Sequence, residues 1–319
     1  MAAQKKDFSP AYGIVPPLIT PFKRNEEIDW YAYDRLIDWH IERGVDGLFV
    51  VCGSSEYFTL SEDEAVQLAK AAVKRANGQI HILAGSTNYA SDDLERNIAM
   101  TKRMWEETGV DGCFITTPRL LPAEDKLQLD YFLAIHDAVD CPVYAYEMPH
   151  GTRYLFSPEA FAQLGKHERF IGIKDTSTQD GLPLPDAIAS VKAKIEAATG
   201  TIKIMQANTK YLVESFELGA TGGINIAANV APRLYAVLWK LWRKGQIERA
   251  KELEERLDKV DQMQGFGYMK SAKIALALMG LPIEPVTRLD KPEFDNQRTQ
   301  VLRDMLAFIR KTEEEFPMP

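Results

Sequence analysis

The chain has 319 residues, 45% of them hydrophobic and 26% charged, which is material for one large core or two smaller ones. With 46 acidic against 38 basic side chains its net charge is −8, the wrong sign for a protein that neutralises nucleic-acid phosphates. Its longest clean apolar runs, Leu234–Trp239 and Ile274–Met279, fall far short of the ~20 residues that cross a bilayer, so no membrane role is expected.

In chain order, short runs rich in Val, Ile and Phe alternate with helical patterns. Ile14–Thr20 is the first expected strand. The helix Asp29–Gly44 follows, with Tyr33, Leu36, Ile37 and Ile41 on one face and a glycine fitted to the position after the last turn. Strand Gly47–Cys52 precedes a helix opened by the capping box Ser61-Glu-Asp-Glu64, in which the Ser and Glu side chains satisfy each other's free backbone N–H groups. After strand His81–Ser86, Ser91, Asp92 and Asp93 put negative charge on a helix N-terminus. Strand Gly112–Pro118, helix Asp125–Ala138 and strand Cys141–Pro149 come next. Ser157-Pro158 then sets an N-cap before a proline in the first turn. Strand Phe170–Asp175, helix Pro185–Ala197, strand Ile202–Ala207, helix Tyr211–Leu218 and strand Gly222–Ala227 complete the alternation.

These strands are continuously apolar rather than alternating, as parallel strands covered on both faces are. Eight strands with seven helices between them predict an α/β chain folded as a (β/α)8 TIM barrel with a C-terminal helical extension. The barrel takes residues 1–230; residues 231–319 hold its last helix and the extension. Ala231–Gly245, Gln246–Gln264, Met269–Met279 and Asn296–Lys311 are the helices expected there. The rival, a doubly wound sheet that binds a dinucleotide, lacks G-x-G-x-x-G after its first strand; the cluster Gly219-Ala-Thr-Gly222-Gly223 precedes a strand instead.

Cys52, Cys113 and Cys141 are odd in number and lie in or beside apolar strands, so no disulfide framework is expected and a reducing cytoplasm is the default. Met1–Pro10 has no apolar stretch of the signal-peptide kind. His40, His81, His136, His150 and His167 show no metal-ligand spacing with Cys or Glu, so a structural zinc is not expected.

In such barrels the chemistry sits at the C-terminal strand ends. Lys174, inside Phe170-Ile-Gly-Ile-Lys-Asp175, occupies a place where an apolar residue is expected. A desolvated lysine can act as a neutral amine nucleophile and form a Schiff base with a carbonyl. Read alone, it is equally a strand-end lysine reaching solvent or paired with Asp175. Tyr146 is a candidate general acid/base, or a packed core tyrosine. Ser54 and Ser55 can hold a carboxylate through hydroxyl and backbone N–H groups, or simply make a turn.

Together these residues resemble the dihydrodipicolinate synthase/N-acetylneuraminate lyase superfamily of Schiff-base aldolases, over nearly the whole chain. The resemblance is carried by Pro17-Leu-Ile-Thr-Pro21, by Gly53-Ser-Ser-Glu56 with Thr59-Leu60, and by Thr117-Pro118. It continues through Tyr146-x-x-Pro149, Gly172-Ile-Lys174 and Ala228-Asn229-Val230-Ala-Pro232. Tyr146 and Lys174 lie 28 residues apart, as in that family. It implies a lyase acting on a 2-keto acid, an aldolase or a dehydratase, with Lys174, Tyr146 and Ser54 catalytic and no cofactor. Gly53, Ser55, Arg119, Glu147, Arg153 and Ile224 are the expected substrate-binding set. It also implies a homotetramer built as a dimer of dimers, for which Trp239, Leu241 and Trp242 offer apolar surface.

The departures bear on the substrate. The loop's first Thr is Gly53 here, its second is Ser54 and its Gly is Ser55. The Tyr-Tyr that follows Thr-Pro in the synthases is Arg119-Leu120, which breaks their tyrosine–threonine–tyrosine proton relay. Their arginine five residues after the catalytic tyrosine is Gly151, with Arg153 two residues on. Glu147 stands where Asn is common, and Gln206-Ala-Asn208 lacks the acidic residues of sialic acid lyases. Arg119, Glu147, His150 and Arg153 are expected to read hydroxyls or a distal carboxylate of the substrate, or else to be surface or subunit contacts. The alternatives are a genuine 4-hydroxy-tetrahydrodipicolinate synthase and a keto-acid-binding relative without turnover.

Overall fold

The computed structural model describes residues 12–87, 93–148, 154–177, 188–198, 202–265, 267–289 and 292–318. Eight parallel strands form one sheet: β1 (Gly13–Ile14), β2 (Gly47–Val50), β3 (His81–Gly85), β4 (Gly112–Thr116), β5 (Val143–Tyr146), β6 (Phe170–Asp175), β7 (Lys203–Gln206) and β8 (Gly222–Gly223). Its order runs β1-β8-β7-β6-β5-β4-β3-β2. Between β1 and β2 the gap is bridged by Pro17 and Phe49, where Leu18 N donates to Phe49 O at 2.8 Å and Phe49 N donates to Pro16 O at 2.9 Å. The sheet is thereby a (β/α)8 barrel.

β1 is far shorter than the apolar run Ile14–Thr20, because Pro16 and Pro17 have no N–H to give a ladder. β8 stops at Gly223 and the chain enters a 3-10 turn at Ile226–Asn229. β6 has the span its sequence predicts.

The wall helices are α1 (Trp30–Glu42), α2 (Glu62–Ala76), α3 (Leu94–Thr108), α4 (Asp125–Ala138), α5 (Pro158–Leu164), α6 (Ala189–Ala197), α7 (Leu212–Leu218) and α8 (Pro232–Arg243). Their starts follow the expected chemistry. Asp29 caps α1 by accepting from Ala32 N, and Ser61 and Glu64 form the full capping box of α2. Asp93 accepts from Arg96 N at α3, and Ser157 caps α5 ahead of Pro158. Of the acidic start expected for α3, Ser91 and Asp92 lie outside the described residues.

Strand alternation splits the apolar residues into two sets. The outer set, including Leu48, Val50, Ile82, Ile115, Val143 and Ile173, packs under the helices. The inner set fills the barrel: Val15, Phe49, Leu83, Phe114, Tyr144, Tyr146, Ile171, Met205 and Ile224 with Cys52. β6 carries an irregularity that resets this alternation. Val143 pairs with Phe170 but Tyr144 pairs with Gly172, so Ile171 is passed over. Ile171 faces inward, Ile173 outward, and Lys174 inward again. Gly172 keeps the crossing close: a Cβ there would lie 3.1 Å from the Tyr144 ring and 3.2 Å from Lys203 O.

After α8 come α9 (Ile247–Gly265), α10 (Lys270–Leu278) and α11 (Asn296–Glu315). The aromatic surface read from the sequence as an assembly face is used within the chain. Trp239 and Trp242 stack at 5.0 Å, both rings meet Phe216 of α7, and Trp239 and Leu241 are buried. Among the described residues no helix is long and apolar enough to cross a membrane. Cys52, Cys113 and Cys141 are buried free thiols.

Candidate active site

β5 and β6 end side by side, with Tyr146 paired to Lys174 in register. Lys174 Nζ donates to Tyr146 Oη at 3.0 Å and lies 4.1 Å from the centre of that ring and 5.7 Å from that of Phe49. Both side chains are buried, with 5% and 8% of their surface accessible. The tyrosine is wedged edge-on against Phe49 and Phe114. Asp175 is not the partner of Lys174. It points outward, as the next residue of a strand does, and accepts from Lys194 of α6 at 2.8 Å. Among the described residues no carboxylate pairs with the Lys174 ammonium; its hydrogen-bond partner is a phenol. An amine with a phenol at hydrogen-bond distance, in an apolar cup at the strand ends, is equipped for carbonyl addition and for the proton transfers that accompany it.

Glu147 corrects its assignment as a substrate reader at the mouth. Tyr146 faces the barrel, so Glu147 faces the helices, fully buried. Lys194 Nζ donates to both its oxygens, at 2.7 and 2.8 Å, and Phe156 N donates to Oε1 at 2.8 Å. Burial, with Asp175 close by, pushes the Glu147 carboxyl up to about 7 despite the lysine. Two carboxylates that each follow a lumen residue by one position thus share one buried ammonium. The signal for Lys194 was a lone cation three residues after Val191 on the apolar face of a short helix; both are buried.

The loop after β2 is a 3-10 turn, Gly53–Ser55. A Cβ on Gly53 would meet nothing within 4 Å, so the turn leaves open space at that point. Ser55 also departs from expectation. Its hydroxyl donates to Leu18 O at 2.6 Å and its amide to Cys52 O at 2.9 Å, so its donors are spent on the turn and not on a carboxylate. Ser54 is buried, and its hydroxyl accepts from Tyr268 at 2.9 Å. Nothing local announces Tyr268, which stands 214 residues away. Glu56, next in the loop, is buried against Lys273 at 2.6 Å and accepts from Arg288 N and Leu289 N, tying the turn to the C-terminal extension. Burial lowers Lys273 to about 8 although Glu56 opposes it.

Ile224 belongs to the inner set with Tyr146. Arg119 is exposed just after β4. His150, Gly151 and Arg153 lie outside the described residues. His136, Asp137 and His167 come together although the sequence shows no metal-ligand spacing among the histidines, with potential ligand atoms within 4.8 Å. They lie ahead of β6, at the opposite end of the barrel from Lys174, and His136 Nδ1 is already bonded to Asp137 at 2.8 Å.

Residues 10–308 match the dihydrodipicolinate synthetase family. The chain belongs to that family. It is 28% identical over 299 residues to a 4-hydroxy-tetrahydrodipicolinate synthase of Thermodesulfovibrio yellowstonii, covering 92% of this chain and 97% of the relative. It is 26% identical over 302 residues to an uncharacterised DapA-like lyase of Thermofilum pendens, covering 92% and 97%. The fold superposes with a TM-score of 0.85 on the chloride-inhibited dihydrodipicolinate synthase of Acinetobacter baumannii complexed with pyruvate, at 26% identity over 95% of this chain and 99% of that one. This member of the dihydrodipicolinate synthetase family is a lyase, with its amine and phenol on the ends of adjacent strands.

Proposed function

We propose that the protein is a Schiff-base lyase acting on a 2-keto acid, as a pyruvate-dependent aldolase or as an aldolase or dehydratase of 2-keto-3-deoxy sugar acids. The observation that carries this is the Lys174–Tyr146 contact of 3.0 Å in an apolar cup, with no carboxylate among the described residues holding the ammonium. The substrate carboxylate rests on Ser54, and the deprotonated Lys174 amine attacks C2. Loss of water gives an iminium that accepts the electron pair of the C3–C4 bond when that bond breaks; in a dehydratase it accepts the pair of a C3–H bond instead, and the resulting enamine expels the C4 hydroxyl, which takes a proton and leaves as water. Tyr146, within hydrogen-bond reach of the nitrogen, returns and removes the protons; work of this kind is worth ~10²–10⁴-fold. Pyruvate, named in the complex of the Acinetobacter relative, is the probe of choice.

The test is borohydride reduction in the presence of pyruvate, followed by peptide mapping. The expected result is a pyruvate-derived mass on the peptide that holds Lys174; its absence would defeat the mechanism. A screen of keto acids scored for both pyruvate release and water loss then separates cleavage from dehydration. The lysine-pathway synthase reading is favoured by the name of the Thermodesulfovibrio relative and disfavoured by Gly53 and Leu120; pyruvate with aspartate semialdehyde in a coupled assay decides it. A binding protein without turnover would form the adduct and release nothing. We place the enzyme in the cytoplasm, on the strength of its buried free thiols, and infer a homotetramer built as a dimer of dimers.

A further inference from the structure

We propose that Tyr268 is a positioning residue that aims the Ser54 hydroxyl at the carboxylate of the keto acid, an inference that rests on the reading of the site given above. Tyr268 stands just before α10 and reaches the loop after β2 from the C-terminal extension. Its hydroxyl lies 2.9 Å from Ser54 Oγ and 3.1 Å from Asn229 Nδ2. The polarity of this chain follows from what holds Asn229. Its Nδ2 donates to Pro17 O at 2.9 Å and to Ile226 O at 3.1 Å, and carbonyls only accept, so the nitrogen and not the oxygen of the amide faces Tyr268.

Those two carbonyls take both amide protons and an amide nitrogen does not accept, so the one proton of Tyr268 goes to Ser54. Ser54 Oγ is then an acceptor from Tyr268, and its own proton is left to point elsewhere. Among the described residues no hydrogen bond takes that proton. Ser54 is buried at the strand ends, in the turn whose Gly53 leaves open space, so a carboxylate entering there meets a pre-aimed donor.

The phenol is suited to this. Burial raises it well above its usual value, and Cys52 and Tyr146 push it the same way, so it stays a neutral donor through the physiological range. Its bond to Ser54, in the turn that follows β2, also puts Tyr268 at the reacting end of the barrel. Neither Gly53 nor the exposed Leu120 brings a hydroxyl there. The C-terminal extension does so from within the same chain.

The test compares wild type, Tyr268→Phe, Ser54→Ala and the double variant by calorimetric titration with pyruvate, each beside borohydride trapping and a thermal melt. Tyr268→Phe is expected to weaken pyruvate binding about three- to tenfold, the size of one lost hydrogen bond, with trapping at Lys174 restored at saturating pyruvate. The double variant is expected to bind no worse than Ser54→Ala, because the phenol acts through that hydroxyl. Unchanged binding in Tyr268→Phe, or losses that multiply in the double variant, would overturn the role. Wild type that binds pyruvate without an adduct at Lys174 defeats the lyase reading alone; wild type that does not bind defeats both. Should Tyr268→Phe not fold, 3-fluorotyrosine at 268 keeps the shape with a more acidic phenol. Its phenol is the stronger hydrogen-bond donor to Ser54, so its pyruvate affinity at pH 7 is expected to rise above wild type, and an unchanged affinity overturns the proposal.

Discussion

Tyr146 and Lys174 are each followed by a carboxylate, Glu147 and Asp175, and strand geometry sends that carboxylate to the far side of the sheet. Lys194 collects both from outside, so one buried ammonium pins the two strand ends that hold the amine and the phenol. Such a pair is poor evidence of net stability but costly to break from one side. Lys194→Met leaves two carboxylates unpaired in the wall and is expected to destabilise by about 3–5 kcal/mol, read from urea unfolding at pH 7. The loss should shrink in acid, where the carboxyls can be neutral; a loss that is flat with pH would contradict this account. His40 carries a second pH term. It is fully buried on α1, its Nδ1 2.8 Å from Leu36 O, and burial lowers its pKa from 6.5 to about 4. A depressed histidine folds neutral, so its contribution is complete above pH 6.5 and lost as the pH falls toward about 4. That interval corresponds to about 3 kcal/mol. In His40→Leu the fall in unfolding midpoint between pH 6.5 and 4 should flatten; an unchanged slope would assign the acid loss to other groups.

The strands and helices were readable from apolar runs and cap residues, because parallel strands under two layers are continuous in hydrophobicity and helix ends need particular side chains. β1 is cut short by prolines, and β8 gives way to a turn. The alternation from Tyr146 sends Glu147 outward into the wall, where it is neither a reader of substrate nor a surface contact. The skipped Ile171, which lets Lys174 face inward, leaves no mark beyond Gly172 and shows only in the pairing register. Tyr268 and Ser54 are joined by folding alone. The barrel seam offers a test at this scale. Gly222 opposes Gly13 across β8 and β1, and a Cβ on it would fall 2.2 Å from Gly13 O, a backbone atom that cannot swing aside. Gly222→Ala is therefore expected to cost about 3 kcal/mol or more. Gly53→Ala, whose Cβ enters open space, should stay within about 0.5 kcal/mol of wild type. Thermal melts of the two variants side by side check the contrast; equal midpoints would show that the seam relaxes more easily than its packing implies.

At the scale of the whole molecule, the chain packs the tryptophan pair of α8 internally and leaves large apolar side chains exposed elsewhere. Trp239 and Trp242 are closed against Phe216, whereas Leu120 is 63% exposed. Trp30 and Tyr31 at the start of α1, Phe58 after β2 and Leu120 after β4 all lie on segments that leave the C-terminal ends of strands, the end that carries Lys174, while Tyr12 and Met318 are exposed elsewhere. Single exposed apolar residues are ordinary on a monomer, but several around one rim mark an interaction surface. A second copy of the chain is the expected occupant, with Leu120 at the contact. Leucine can pack there but cannot move a proton, so such a contact would serve assembly and not the chemistry. Leu120→Glu should thus lower the solution mass measured by light scattering, since it sets like charges across a symmetric contact. Leu120→Ala should keep the oligomer and the turnover of whichever keto acid the screen finds. A wild-type monomer at micromolar concentration would refute the assembly. Lost turnover in an intact Leu120→Ala oligomer would show that this side chain takes part in the site and that the site extends across the subunit boundary.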